Sequence, residues 1–160
     1  MNGRSWKALA GWVALSFVPA AIGAPFPAPA WYRQLRKPSW SPPPWLFGPV
    51  WTLLYALMGV AAWLVAGGGR TERAGRGPAL AAFGAQLALN AAWTPIFFGL
   101  RRPGLALAEI VATLAAVAVT VALFLRQRKL AGLLLLPYLA WTAFATLLNA
   151  EIWRRNRQLG

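Results

Sequence analysis

Apolar residues in this chain gather into five runs of about twenty positions, separated by short stretches rich in Gly, Pro and cations. The runs cover approximately 6–24, 45–66, 78–100, 104–125 and 130–153. A helix needs about 20 mostly apolar residues to cross a bilayer. Each run ends on a recognisable break: Pro25, Pro27 and Pro29; Gly67-Gly68-Gly69; Arg101-Arg102-Pro103; Arg126, Arg128 and Lys129; and Arg154, Arg155 and Arg157. Segments immersed in lipid must close their own backbone hydrogen bonds, so the runs are predicted to be helices. The pattern therefore predicts an all-α integral membrane protein, a single domain over 1–160 built as a bundle of five transmembrane helices. The connections after the second, third and fourth helices are short, so successive helices are expected to pack as antiparallel neighbours. Only the stretch from Ala24 to Pro44 is long, giving a first loop over the bundle. Arg4 and Lys7 ahead of the first run also fit a secretory leader, but no soluble domain follows, and the run reads as a retained first helix.

Composition sharpens this reading. The chain is 59% apolar and only 12% charged, where a soluble domain carries about 25% charged residues. Its net charge of +13 comes from 16 Lys and Arg against Glu72, Glu109 and Glu151. Those cations sit at the ends of the apolar runs and form no basic face, which argues against nucleic acid as a partner and for loops that meet lipid headgroups. There is no Cys and no His. Disulfides, thiolate chemistry, imidazole metal sites and the usual proximal ligand of haem iron are thereby excluded, and no metal site is expected. Three carboxylates without His or Cys also leave ordinary acid–base or nucleophilic catalysis without its groups. Orientation is not encoded by the cations. Arg4, Lys7, Arg70, Arg73, Arg76, Arg126, Arg128 and Lys129 fall on one side, and Arg33, Arg36, Lys37, Arg101, Arg102, Arg154, Arg155 and Arg157 on the other, eight against eight.

Polar side chains inside spanning helices are costly and mark candidate chemistry. On the third helix Gln86, Asn90 and Thr94 share a face with Trp93 and Phe97 beside them. On the fifth, Tyr138, Trp141, Thr142, Ala145 and Asn149 share another, and on the second, Trp51, Tyr55 and Met58 make a stripe. One reading is that the amides join neighbouring helices and the aromatics are bundle core. The reading favoured by the whole set is convergence on one interior cavity with aromatic walls and a few amide and hydroxyl groups, suited to a flat hydrophobic ligand. Trp6, Trp12, Trp40 and Trp153, near run ends, are expected as interfacial anchors. Pro49, Pro95 and Pro137 fall inside helices and can kink them. Glu109 is expected to pair with Arg101 or Arg102 at the boundary. Gly84, Ala88 and Ala92 form a small-residue stripe at spacing four on the third helix, with Ala88 and Ala92 about 200° around it from Asn90, suited to a homodimer interface.

Four motifs are specific enough to compare with a known family. They are Trp31-Tyr32-x-x-Leu35-x-Lys37-Pro38-Ser39-Trp40-x-Pro42-Pro43, Gly48-Pro49-Val50-Trp51-x-x-Leu54-Tyr55, Gln86-Leu87-Ala88-Leu89-Asn90-x-Ala92-Trp93-x-Pro95-Ile96-Phe97-Phe98-Gly99, and Pro137-Tyr138-Leu139-Ala140-Trp141-x-Ala143-Phe144-Ala145-Thr146-x-Leu148-Asn149. In order and content they resemble the TspO/MBR family of tryptophan-rich sensory and translocator proteins (the peripheral benzodiazepine receptor).

The resemblance implies a five-helix, usually dimeric membrane protein that binds porphyrins such as protoporphyrin IX, with a pocket inside the bundle under the first loop. Carried over by motif, the ligand-binding residues would be Trp31, Tyr32, Trp51, Tyr55, Asn90, Trp93, Phe97, Trp141 and Ala145, with Tyr138 added from the helical face it shares. Arg33, Arg36 and Lys37 of the loop could attract a porphyrin's propionates. The implied role is porphyrin transport, sequestration or stress signalling, with no cofactor required. Some members are implicated in light- and oxygen-dependent porphyrin breakdown, which here would lean on Trp51 and Trp141. A membrane scaffold with no physiological ligand is the third reading. The family's sterol motif needs a Tyr where this chain has Ala150, so sterol binding is doubtful, and the lack of His favours free-base porphyrin over ligated haem.

Overall fold

In a computed structural model, which describes residues 3–67 and 75–157 and the side chains from Ser5 onward, five helices are long and apolar enough to cross a membrane. Gly68, Gly69, Arg70, Glu72 and Arg73, and the side chain of Arg4, invoked above for a helix break and the charge count, lie outside the described residues. The five spans are Ser5–Gly23, Pro44–Ala66, Arg76–Gly99, Pro103–Gln127 and Lys129–Asn156.

The first span is two helices, α1 (Gly3–Ser16) and α2 (Val18–Gly23), joined at Phe17. Pro19 in the first turn of α2 has no N–H to continue the α1 ladder, so the joint follows from the sequence Val18-Pro19. Within the first loop a short helix, α3 (Ala30–Gln34), carries Trp31, Tyr32 and Arg33. Pro43 is extended and Pro44 opens α4 (Pro44–Ala66), the position where a missing N–H costs nothing. The third span is α5 (Arg76–Thr94) followed by one π-helical turn at Pro95–Gly99, in which the Leu100 N–H donates to the Pro95 carbonyl at 2.9 Å. α6 (Pro103–Gln127) and α7 (Lys129–Asn156) complete the bundle. Of the three interior prolines, only Pro95 ends α-helical geometry. α4 runs on through Pro49 and α7 through Pro137.

Around the bundle the first span packs on α4, α4 on α7, α7 on α6, α6 on α5, and α5 back on α2. Consecutive spans are therefore neighbours, with the contact between α4 and α5 the smallest. The first span packs on both, with α1 against α4 and α2 against α5, while α4 and α5 touch through Tyr55 and Asn90 and through Met58 and Gln86. α1 approaches α4 closely at Gly59, where a Cβ would overlap the Val13 backbone, its nitrogen being 2.8 Å away. The core holds Leu54, Met58, Ala62, Val65, Phe83 and Phe124. Trp12 belongs there too: its ring meets Phe83 edge-on at 6.2 Å, so it is a packing residue rather than an interfacial anchor. Trp6, Trp40 and Trp153 are exposed near span ends, as anchors require, and Trp45 joins them. Gly84 and Ala88 face outward on α5 while Gln86 faces inward, the partition the helical period dictates.

Glu109 makes no pair with Arg101 or Arg102. It lies eight and seven residues along the chain from them, about 12 and 10 Å of helical rise below the boundary, and accepts the Thr113 hydroxyl at 2.7 Å instead.

Replacing Gly59 by Ala should lower the thermal midpoint of the detergent-solubilised protein by an amount corresponding to about 1–3 kcal/mol, since α1 must be pushed off α4. Gly48→Ala, at a helical position with nothing within 4 Å of the added methyl, should leave the midpoint unchanged or raise it.

Candidate functional site

Three spans are tied together by one chain of side-chain hydrogen bonds. The Tyr55 hydroxyl of α4 donates to Asn90 Oδ1 of α5 at 3.0 Å. Asn90 Nδ2 donates to the Tyr138 hydroxyl of α7 at 2.9 Å, and that hydroxyl donates to Gln86 Oε1, back on α5, at 3.0 Å. Gln86 Nε2 ends the chain 3.9 Å from Met58 Sδ. Gln86 and Asn90 are four residues apart and so occupy one face of α5. A phenol or amide left unpaired between helices would cost several kcal/mol in a medium without water, and each group here meets a partner on another helix. Trp51 stacks on Tyr55, ring centroids 5.3 Å apart, and meets Tyr138 edge-on at 6.1 Å.

A second cluster lies at the loop end. The π-helical turn places Phe97 and Phe98 beneath α3. Trp93 stacks on Phe97 at 4.7 Å and Trp31 stacks on it at 6.0 Å, while Tyr32 meets Phe97 and Phe98 edge-on at 5.9 and 5.2 Å. Such ring pairs add about 0.5–1.5 kcal/mol each beyond area burial. Burial holds the Tyr32 phenol above its ordinary pKa, and Lys37 Nζ sits 4.3 Å from the centre of its ring. The Trp93 indole N–H donates to Asn149 Oδ1 at 3.0 Å, and Asn149 Nδ2 donates to the Pro103 carbonyl at 2.8 Å, fixing the rotamers below. The Trp31 indole nitrogen is buried and has no acceptor. Trp141 forms a third group with Phe47 at 5.9 Å and Phe144 at 5.4 Å, and Trp40 from the loop closes on Phe144 at 5.7 Å.

The loop is pinned to the end of α7 through its main chain. The Arg36 N–H donates to Asn156 Oδ1 at 2.9 Å, and Asn156 Nδ2 donates to the Arg36 carbonyl at 3.0 Å. One carboxamide thus pairs both polar groups of one loop residue, in the manner of a strand. The Arg33 and Arg36 side chains remain exposed and Lys37 is half-buried.

The residues proposed from the sequence are thus brought to one end and the middle of one bundle, in three ring groups. Trp31, Tyr32, Trp93 and Phe97 form the first, Trp51, Tyr55, Asn90 and Tyr138 the second, and Trp141 belongs to the third. Ala145 lies one turn from Trp141 on α7, half-buried. Trp51 and Trp141 have different ring neighbours. Sequence reasoning missed Phe98, Phe47, Phe144 and Asn156. Asn156 had a signal: Tyr138, Thr142, Ala145, Asn149, Ile152 and Asn156 continue a single stripe at spacings of four and three.

A five-span bundle capped by an aromatic loop, with a chain of amides and phenols paired across three spans, defines a class of multi-pass integral membrane protein. The TspO/MBR family model matches residues 8–154. The chain is 48% identical to the translocator protein of Homo sapiens over 128 residues, 79% of this chain and 75% of that one. It is 42% identical to the tryptophan-rich sensory protein of Cereibacter sphaeroides over 151 residues, 94% and 92% of the two chains. To the tryptophan-rich protein TspO of Chlorobaculum tepidum it is 44% identical over 133 residues. The chain belongs to the TspO/MBR family.

Replacing Asn156 by Ala should release the loop from α7. Trypsin cleavage after Arg33 or Arg36 in the detergent-solubilised protein is expected to accelerate severalfold, with the thermal midpoint falling by the equivalent of about 1–3 kcal/mol. In a double-mutant cycle, Asn90→Leu and Tyr138→Phe should couple by about 0.6–1.7 kcal/mol, the range found for hydrogen bonds between spanning helices.

Proposed function

We propose that this protein binds a tetrapyrrole, protoporphyrin IX, under its first loop, and acts as a homodimer in porphyrin transport, sequestration or stress signalling. The observation that carries the proposal is the composition of the layer between loop and bundle. Trp31 and Tyr32 come from a loop helix and Trp93 and Phe97 from α5 and its π-helical turn. Trp31 and Trp93 stack on Phe97 and Tyr32 meets it edge-on, beside a buried indole N–H that has no acceptor. A flat macrocycle can take the place of ring–ring stacking with ring–macrocycle stacking at little loss, because both use the same polarisable faces. Its ring nitrogens or propionates would supply the acceptor that the Trp31 indole lacks.

Entry requires α3 to lift from Phe97. Two hydrogen bonds to Asn156 and a few ring contacts hold it, whereas the spans below are bound by extensive apolar packing. Arg33 and Arg36, exposed at the rim, provide positive potential toward the two propionates. With no His in the chain, free-base porphyrin is the better ligand than haem. The outward stripe of Gly84 and Ala88, continued by Ala92, is the surface through which two copies would approach closely.

Protoporphyrin IX should quench the tryptophan fluorescence of the purified protein saturably. Trp51→Phe combined with Trp141→Phe should weaken binding about tenfold, the effect of losing roughly 1.4 kcal/mol of ring contact. Unchanged affinity in that double variant would remove those walls from the pocket. Arg33→Gln, Arg36→Gln and Lys37→Gln together should weaken protoporphyrin IX more than its uncharged dimethyl ester. Equal losses for the two would return the loop to a connector.

A further inference from the structure

A cleft of about 380 Å³ opens at the loop end of the bundle between the start of α6 and the end of α7. Arg101 and Arg102 enter it from the turn before α6, Arg157 from the end of α7, and Trp153 forms a wall. The wall is set by Gly104: a Cβ there would meet the Trp153 indole nitrogen at 2.7 Å, so the indole rests directly on the first turn of α6. Asn156 also borders the cleft, but its amide is taken up by Arg36 and by the Ile152 carbonyl. The cleft belongs to none of the three aromatic groups described above.

Among the described residues its charge is uncompensated. Among the described residues the only acid at this end is Glu151, and both Arg154 and Arg155 already bind it, at 2.8 and 2.6 Å. Arg101, Arg102 and Arg157 therefore face one another's cleft with no carboxylate partner among the described residues. Three arginines lining one cleft without an anion repel one another, and their guanidinium groups are suited to the oxygens of a phosphate, which guanidinium binds in bidentate fashion. No side chain caps the start of α6, so its first N–H groups add to the same positive field.

The depth of the cleft identifies the source of that phosphate. Arg101, Arg102 and Arg157 stand where three spans end, and Trp153, Leu100 and Leu105 beside them are exposed large apolar residues. Exposed Trp and Leu at a span end lie at the boundary between headgroup and acyl chain. A soluble anion would use the arginines and leave this apolar wall idle, whereas an anionic phospholipid uses both. We propose that this cleft is a binding site for an anionic phospholipid, its phosphate held by Arg101, Arg102 and Arg157 and an acyl chain lying along Leu105 and Trp153. Basic pockets between transmembrane helices are a general means of headgroup recognition.

Native mass spectrometry of the detergent-solubilised full chain tests this, with phosphatidylglycerol and phosphatidylcholine of identical acyl chains as probes. The wild type should retain phosphatidylglycerol at a roughly tenfold lower lipid concentration than phosphatidylcholine, and added salt should narrow the gap. Arg101→Gln, Arg102→Gln and Arg157→Gln together should abolish that preference. Lys7→Gln with Arg126→Gln, which removes two exposed cations at the other end of the bundle, should preserve it. A wild type without headgroup preference overturns the proposal, as does a preference that survives the triple variant or disappears equally in the control. Inorganic phosphate that displaces phosphatidylglycerol at equal concentration would overturn the lipid as occupant. The wild-type comparisons decide even where the triple variant does not fold, and Arg157→Gln alone, at the exposed end of α7, then stands in for it with a smaller loss of preference.

Discussion

The bundle rests on the requirement that every amide and phenol placed between its helices find a partner inside the protein. Water is absent at that depth, so an unpaired group is penalised without relief. Asn90 meets the requirement for three spans at once, accepting from Tyr55 and donating to Tyr138, which in turn donates to Gln86. Each bond fixes a donor direction, so the chain sets the rotation of α4, α5 and α7 about their axes. Apolar packing alone would not do this, because Leu, Val and Ala on these helices contact lipid or protein with little preference. The paired polar chain is therefore what makes the inward faces of the three helices distinct from their outward faces. The aromatic rings follow it: Trp51 stacks on Tyr55, whose hydroxyl is already committed.

The loop obeys the same constraint by different means. Its residues lie near headgroup depth, where main-chain groups can be hydrated, so no internal ladder is demanded of it. It is held by discrete contacts: one carboxamide on the Arg36 main chain, ring edges on Phe97 and Phe98, and Trp40 on Phe144. Prolines 42 to 44 stiffen its exit and fix where α4 re-enters the bundle. This division gives a rigid floor and a cover held by few bonds. A site between them can open without disturbing the spans, because the contacts broken on opening are separate from the hydrogen bonds that orient the helices.

Much of this was legible in the sequence because the lipid solvent simplifies the code. Twenty-residue apolar runs gave the five spans to within three residues at each end, and period 3.6 placed Gln86 inward and Gly84 outward. What escaped was decided by geometry that no period encodes. Short loops suggested that α4 and α5 pack as neighbours, but no period shows that their contact is small while α1, admitted by Gly59, reaches the α4 backbone. Pro95 and Pro137 look equivalent in sequence, yet only Pro95 is followed by a π-helical turn, which turns Phe97 and Phe98 toward the loop. Trp12 read as an anchor from its position near an end, but Phe83 on another helix draws it into the core. Glu109 read as a boundary charge, and a turn-by-turn count of helical rise is what places it too deep for Arg102.

The even split of cations between the two ends becomes informative once each cation's partner is known. A count treats Arg33, Lys37, Arg102 and Arg154 as equal contributions to a topology signal. In the folded chain they are not equal. Lys37 lies over the Tyr32 ring, and Arg154 and Arg155 share Glu151. Arg36 serves the fold through its main chain rather than its charge. Four of the eight at the loop end are thus engaged in holding the loop and the end of α7. The other four, Arg33, Arg101, Arg102 and Arg157, keep their side chains exposed. They divide by position into one at the rim of the aromatic cover and three around the cleft between α6 and α7. Cations that serve as recognition groups enter the count with the same weight as cations that hold a helix in place, so a chain using both at one end can reach a tie while still having a definite orientation.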